Sequence, residues 1–225
     1  KTYKINDYLI ELKNPKLNRD EAEQMTFSLE SFEDIEDSQE EAIESPKAEN
    51  FVITDEIIAE SLLPQERLEN NINAIKVLRR LEEEDRKASK EEQEILAKYA
   101  GWGGLSEVFD EGKTGQWERA RNFLKGNLSP SEYEACEEST ITAFYTPKTV
   151  IDGIYQALEN MGFEKGNILE PSCGVGSFMG SLPENMNKSK VYGVELDSIS
   201  GNIAKKLYPE NKVQVKGFEE TSFSN

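Results

Sequence analysis

Apolar positions recur along this chain with two different periods. In "ERLENNINAIKVLRRLEEEDRK", Leu68, Ile72, Ile75, Leu78 and Leu81 fall at steps of three and four residues. That spacing stacks them on one face of an α-helix and leaves the other face charged. It predicts an amphipathic helix of about five turns. Ser89 and Glu92 are placed as a capping box, reciprocally satisfying free backbone N–H groups at a helix start, with Ile95, Leu96 and Tyr99 as the buried stripe of a helix that ends at Gly101. Ser129-Pro130-Ser131-Glu132 repeats the device, with proline in the first turn, and opens a helix through Tyr133, Ala135 and Cys136. "FVITDE", upstream of these helices, reads as a short strand. Residues 51–140 are expected to be mainly helical.

From Ile141 the pattern becomes an alternation of helix and strand. Thr146 and Pro147 look like a helix cap and first helical residue, followed by Val150, Ile151, Ile154, Tyr155 and Leu158 on one face and a stop at Gly162. "NILEP" then reads as a buried strand, "SCGVGSFMGSL" as a glycine turn entering a helix, and "KVYGVEL" as a second strand. "SISGNIAKKLY" reads as a second helix and "KVQVKGF" as a third strand. The order βαβαβ predicts an α/β chain, an N-terminal helical region followed by the first half of a Rossmann-like doubly wound sheet. Ligands of such sheets bind beyond the carboxyl ends of the strands.

Composition narrows the chemistry. With 225 residues, 36% of them hydrophobic, the chain can fill a core. No run approaches the roughly 20 apolar residues of a membrane span. The opening Lys1-Thr2-Tyr3-Lys4 is neither an initiator Met nor a signal peptide, so a cytoplasmic piece of a longer protein is expected. The absence of histidine, and the presence of only Cys136 and Cys173, remove imidazole–zinc sites, Ser-His and Cys-His pairs and a disulfide framework; no metal site is expected. A net charge of -18 opposes a simple basic DNA-binding surface. Much of the acid lies between Asp20 and Glu44, where the apolar residues keep no period, so residues 1–50 read as an acidic arm or linker. The arm is either a solvated spacer or a segment that imitates the DNA backbone.

Candidate site residues gather at the predicted strand ends. Gly174 and Gly176 follow the first strand without side chains, so the backbone can turn sharply and admit a cofactor against the helix start. A purely structural strand–helix turn is the alternative. Glu195 ends the second strand about 20 residues later, where a carboxylate can accept hydrogen bonds from ribose hydroxyls. A nicotinamide fingerprint wants Gly-x-Gly-x-x-Gly, but Met179 stands at the third glycine position. Glu170 at the tip of the first strand would repel a pyrophosphate and attract the ammonium and sulfonium of S-adenosylmethionine, unless it only caps the turn. In "AGWGGLSEVF", Trp102 among three glycines either stacks on a ligand or anchors a turn in the helical core.

"TAFYTP", "ILEPSCGVGSF" and "VYGVELD" together resemble the adenine-specific (amino) DNA methyltransferases whose cofactor motif precedes the catalytic one. "NINAIKVLRRLE", "LAKYAGWGGLSEVFD", "STITAFYTPKTVIDGIYQALENMGF" and "LYPENKVQVKGFEETSF" look like the methylase-like region of very large helicase–methylase proteins of conjugative elements and plasmids. The resemblance covers residues 50–225.

The resemblance implies that residues 141–225 are the S-adenosylmethionine-binding half of a methyltransferase domain. Tyr145, Thr146 and Pro147 would hold the amino-acid end of the cofactor, with the helix start supplying N–H groups to its carboxylate. Gly174 and Gly176, with Pro171 and Ser172 beside them, would line the methionine portion. Glu170 would face the ammonium, Glu195 the ribose and Leu196 one face of the adenine. Where the family often has Gly-Asp, this chain reads Gly217-Phe218-Glu219, with Phe218 placed to stack on adenine. The catalytic tetrapeptide, an Asn, Asp or Ser followed by prolines and an aromatic, is absent, so no catalytic residue is assigned and truncation before that motif is expected. Two functions follow. One is the cofactor-binding part of a DNA adenine N-6 methyltransferase, which meets DNA through its longer parent and has a helicase domain in the same polypeptide. The other is a non-catalytic module that positions a helicase on DNA or acts in antirestriction through the acidic arm.

Overall fold

The helical region is organised around α1 (Pro64–Glu83), which buries Leu68, Ile72, Ile75, Leu78 and Leu81, the residues picked out by their spacing. This computed structural model describes residues 49–54, 63–142 and 145–223. Residues 1–48 of the acidic arm, Asp55-Glu56 of "FVITDE" and Ala143-Phe144 of "TAFYTP" lie outside the described residues. Helix α1 starts four residues before the first residue of its apolar stripe, Leu68. Pro64 supplies the fixed φ of a first turn, and the Glu66 carboxylate accepts the Leu63 N–H at 2.8 Å.

The Ser89–Glu92 capping box opens α2 (Lys90–Ala97), with the Ser89 N–H donating to Glu92 Oε2 at 2.8 Å and the Glu92 N–H to Ser89 Oγ at 3.3 Å. Arg86 reaches the same carboxylate at 2.6 and 2.7 Å. Burial by itself would raise the Glu92 carboxyl, but the Arg86 and Ser89 hydrogen bonds and the charges of Arg86 and Arg80 hold it down at about 2. Helix α2 stops at Ala97 rather than at Gly101. Fully buried Asn71 of α1 accepts the Ala100 N–H at 2.8 Å and donates to the Gly101 carbonyl at 2.7 Å, taking those groups out of the helical ladder.

Helix α3 (Gln116–Asn127) was not expected. Its opening residue, Gly115 at φ +68°, has no side chain with which to cap, so no start signal stands in the sequence. Trp117, Ala120 and Leu124 do keep a three-and-four spacing, and Arg121 is buried while donating to the carbonyls of Val108, Asp110 and Lys113. Helix α4 (Pro130–Glu138) has the anticipated capping box at Ser129, and Glu132 also receives Arg79 of α1 at 2.7 Å. Trp102 is 1% exposed and meets Phe109 edge-on with ring centroids 5.5 Å apart, so it anchors its turn in the helical core.

Helix α5 (Lys148–Asn160) begins one residue later than expected. Pro147, at φ -58° and ψ 143°, is the flanking residue rather than the first helical one, and Thr146 makes no cap. The stop is where the sequence put it. Gly162 at φ +82° lets its own N–H reach the Glu159 carbonyl at 2.8 Å and the Phe163 N–H reach the Leu158 carbonyl at 3.0 Å.

Three strands, β1 (Asn167–Glu170), β2 (Lys190–Glu195) and β3 (Lys212–Val215), pair in parallel with β2 in the middle. The βαβαβ reading holds, with one change of proportion. Helix α6 (Ser177–Gly180), between β1 and β2, is a single turn, whereas α7 (Ser198–Leu207) has its expected length. "FVITDE" does not form a strand in its described part. The Phe51 N–H bonds the Leu207 carbonyl and the Ile53 N–H the Gly180 carbonyl, both at 2.9 Å, so the segment satisfies helix ends instead of joining the sheet.

Helices α1 and α2 pack on α7, and all described residues lie in the unit Ser45–Asn225. Lys206 of α7 donates to the Leu81 carbonyl at 3.2 Å and the Arg86 carbonyl at 2.6 Å, covering the carboxyl end of α1. Among the described residues no helix is long and apolar enough to cross a membrane.

Candidate cofactor site

The turn after β1 is held at both ends. Cys173 donates its N–H to the Val194 carbonyl at 2.9 Å, tying the turn to β2, and Gly176 donates to the Cys173 carbonyl at 2.8 Å to close it. Gly174 and Gly176 have φ of +55° and +87°, a region that penalises any Cβ. The Gly174 N–H points at Glu195 Oε2, 2.7 Å away, while Glu195 Oε1 accepts the Asp197 N–H at 2.9 Å. Glu195 therefore fastens the glycine turn to the end of β2. Its two oxygens offer about four acceptor sites, so two remain for a ligand's hydroxyls.

Beyond the ends of β1 and β2 lies a cleft of about 770 Å³. Tyr145, Thr146, Glu170, Ser172, Gly174, Glu195 and Leu196, seven of the residues expected at the site, line it. Pro147, Pro171, Gly176 and Phe218 do not line it. Gly176 lies behind the turn, where a Cβ would collide with the Tyr208 ring and approach the Met179 sulfur at 3.4 Å. Phe218 is 49% exposed in a 3₁₀ turn after β3.

The opposite wall comes from the helical region: Tyr99 and Trp102 from the loop after α2, and Ser131, Glu132, Ala135 and Glu138 from α4. Of this wall the sequence offers only Trp102, as a candidate stacking residue; Tyr99 and the α4 residues carry no signal, because the strand–turn–helix pattern says nothing about what packs across from it. Asp197 and Ser200 at the start of α7 were missed as well. The Asp197 carboxylate caps α7 by accepting the Ser200 N–H at 3.0 Å, and Ser200 Oγ lies 3.2 Å from the Tyr145 hydroxyl.

Glu170 dominates the electrostatics. Its Oε2 is buried with no hydrogen-bond partner among the described residues. Burial, and then the charge of Glu195, push its carboxyl up to about 8. An orphaned carboxyl next to a carboxylate is poorly matched to an anionic ligand and well matched to a cation, which would favour its ionised form. The same burial, with the charges of Glu170 and Glu195, pushes the Cys173 thiol up to about 12, so this cysteine is an inert lining group. The residues present fit S-adenosylmethionine: an unpaired acid for its ammonium or sulfonium, a carboxylate with spare acceptors for its ribose, and the exposed Leu196 as an apolar face. A dinucleotide would bring its pyrophosphate against two acids.

No family model matches the chain. It is 34% identical over 85 residues to Defense against restriction protein B of Escherichia phage P1, covering 38% of this chain and 4% of that protein. It is 38% identical over 69 residues to Type II methyltransferase M.CvrRI of Paramecium bursaria Chlorella virus XZ-6E, covering 31% of this chain and 18% of that protein. It is 37% identical over 73 residues to Modification methylase CviBIII of Paramecium bursaria Chlorella virus NC1A, covering 32% of this chain and 19% of that protein. The chain spans less than a fifth of the length of each of these relatives. A solved structure described as a class I S-adenosylmethionine-dependent methyltransferase from Listeria monocytogenes matches 68% of this chain and 52% of its own, at 15% identity and a TM-score of 0.29, too low to bear on the fold. Over about a third of its length the chain is thus similar to two viral proteins named as methylases, and it carries a parallel strand–glycine turn–helix site.

Proposed function

We propose that this chain binds S-adenosylmethionine in the cleft at the ends of β1 and β2, as the cofactor-holding part of a DNA adenine N-6 methyltransferase. The observation that carries the reading is the buried, unpartnered Glu170 Oε2 beside Glu195. S-adenosylmethionine supplies an electrophilic methyl group on a sulfonium. Glu170 pairs with the cationic end, and Glu195 accepts from the ribose while keeping the Gly174 turn in place. The acids and hydroxyls of the cleft thus orient the donor and screen out anionic competitors. The two viral relatives named as methylases support methyl transfer, and adenine as the acceptor follows from the sequence resemblance. With no tetrapeptide to hold the target amine, the chain binds the donor and leaves transfer to the longer protein, where a helicase shares the polypeptide.

The pH dependence of binding tests this. Below about pH 8 the free Glu170 carboxyl is protonated, and pairing with a cation requires it to lose that proton. Affinity for S-adenosylmethionine should therefore rise with pH, by roughly tenfold per unit from about pH 6 and levelling near pH 8. Calorimetry in buffers of different ionisation enthalpy should find a proton released on binding. A pH-independent affinity with no proton release contradicts the role of Glu170.

Similarity to the phage protein named for defence against restriction favours a second reading, a module that acts in antirestriction. Under it, the chain with residues 1–50 inhibits cleavage of duplex DNA by a restriction endonuclease and the chain lacking them does not. Equal cleavage in both cases removes a role for the arm.

A further inference from the structure

We infer that Tyr145 is a positioning residue: its ring, wedged between Gly101 of the helical region and Gly174 of the cofactor turn, sets the orientation of Glu195 toward the ribose. The inference rests on the cofactor reading above. A Cβ built on Gly101 would lie 2.9 Å from Tyr145 Cε2, and one built on Gly174 would lie 2.5 Å from Tyr145 Cε1. Both distances are below ordinary van der Waals contact, so the ring fills a slot that two glycines leave open, one from each wall of the cleft.

Each side of the slot is anchored. On the helical side, buried Asn71 of α1 holds the loop through the Ala100 N–H and the Gly101 carbonyl, and Arg67 donates to the Gly103 carbonyl at 2.6 Å. On the sheet side, the Gly174 N–H is bound to Glu195 Oε2. The Tyr145 hydroxyl, at 3.2 Å from Ser200 Oγ, fixes the ring to the start of α7, where the Asp197 N–H donates to the other Glu195 oxygen, Oε1, at 2.9 Å. A continuous set of contacts therefore runs from α1 through Gly101, Tyr145 and Gly174 to the ribose-facing carboxylate. Removing the ring frees Gly174 to move and Glu195 to turn with it. The hydroxyl only trims the ring's position, so phenylalanine should serve nearly as well.

The test compares adenosine with 2′,3′-dideoxyadenosine, which lacks the hydroxyls that Glu195 would accept from, in NMR titrations of the chain. The parent chain should prefer adenosine by at least about tenfold, each good hydrogen bond to a charged group contributing on that scale. Tyr145→Phe should keep the preference, and Tyr145→Leu should reduce it to about threefold or less while the Gly174 amide resonance shifts. A general loosening of the fold would weaken both ligands equally and leave their ratio alone. If Tyr145→Leu does not fold, Asn71→Asp gives the same readout, since it keeps the acceptor for Ala100 and loses the donor to Gly101. An unchanged ratio in the folded variant overturns the inference while leaving the cofactor reading intact. Binding of neither nucleoside by the parent chain overturns both.

Discussion

Glu170→Gln is expected to stabilise the chain at about pH 8 and, in the same molecule, to weaken S-adenosylmethionine binding by at least about tenfold. Burial and the Glu195 charge push the folded carboxyl up to about 8, from an ordinary value of about 4.5. Between those values the folded chain holds a proton that the unfolded chain releases. Stability contributed by this group is therefore greatest below about pH 4.5 and declines as pH rises toward 8. At about 1.4 kcal/mol per tenfold change in proton affinity the ceiling is roughly 5 kcal/mol, and solvent screening in the open cleft reduces it to roughly 2. The amide keeps the shape, cannot ionise and cannot pair with an ammonium or sulfonium. Urea unfolding of parent and variant at about pH 5 and pH 8.5 reads the first effect, and calorimetry reads the second. Equal pH slopes for the two proteins would show that Glu170 ionises without strain.

Gly176→Val is expected to unfold or severely destabilise the α/β half, by roughly 3 kcal/mol or more. A β-branched residue at φ +87° is disfavoured by more than the 1–2 kcal/mol typical of a left-handed residue. Its Cβ also enters the space of the Tyr208 ring, which is fully buried, so relief requires moving the core. The loss therefore comes through packing rather than through occupying the cofactor's place. A thermal melt with a markedly lower midpoint, together with loss of near-ultraviolet signal, is the expected result. A variant that melts like the parent and fails only to bind cofactor would return Gly176 to the cleft.

The contrast between Gly174 and Gly176 shows where sequence reasoning stops. Both glycines announce a tight turn, and both have the positive φ that such a turn needs. Which of them faces the ligand depends on Tyr208 and Tyr145, residues 32 positions downstream and 29 upstream. The α1 stripe, the capping boxes at Ser89 and Ser129 and the Gly162 stop were legible because each is a local device whose partners lie within one or two turns. The end of α2, the non-strand at Phe51 and the late start of α5 were not. They are decided by Asn71, by the Leu207 and Gly180 carbonyls and by the backbone angles of Pro147. For the same reason Glu170 and Glu195 were readable as strand-end acids, whereas the α4 wall with Ser131, Glu132 and Glu138 emerged only from tertiary packing.

The central claim is that the acidic cleft selects a cationic nucleoside cofactor, and the most direct measurement is calorimetric titration of the 225-residue chain with S-adenosylmethionine and, separately, with NAD at about pH 8. Saturable binding of S-adenosylmethionine, reduced at least about tenfold in Glu170→Gln, is expected, with no heat of binding for NAD, whose pyrophosphate would meet Glu170 and Glu195. Tighter binding of NAD than of S-adenosylmethionine would contradict it.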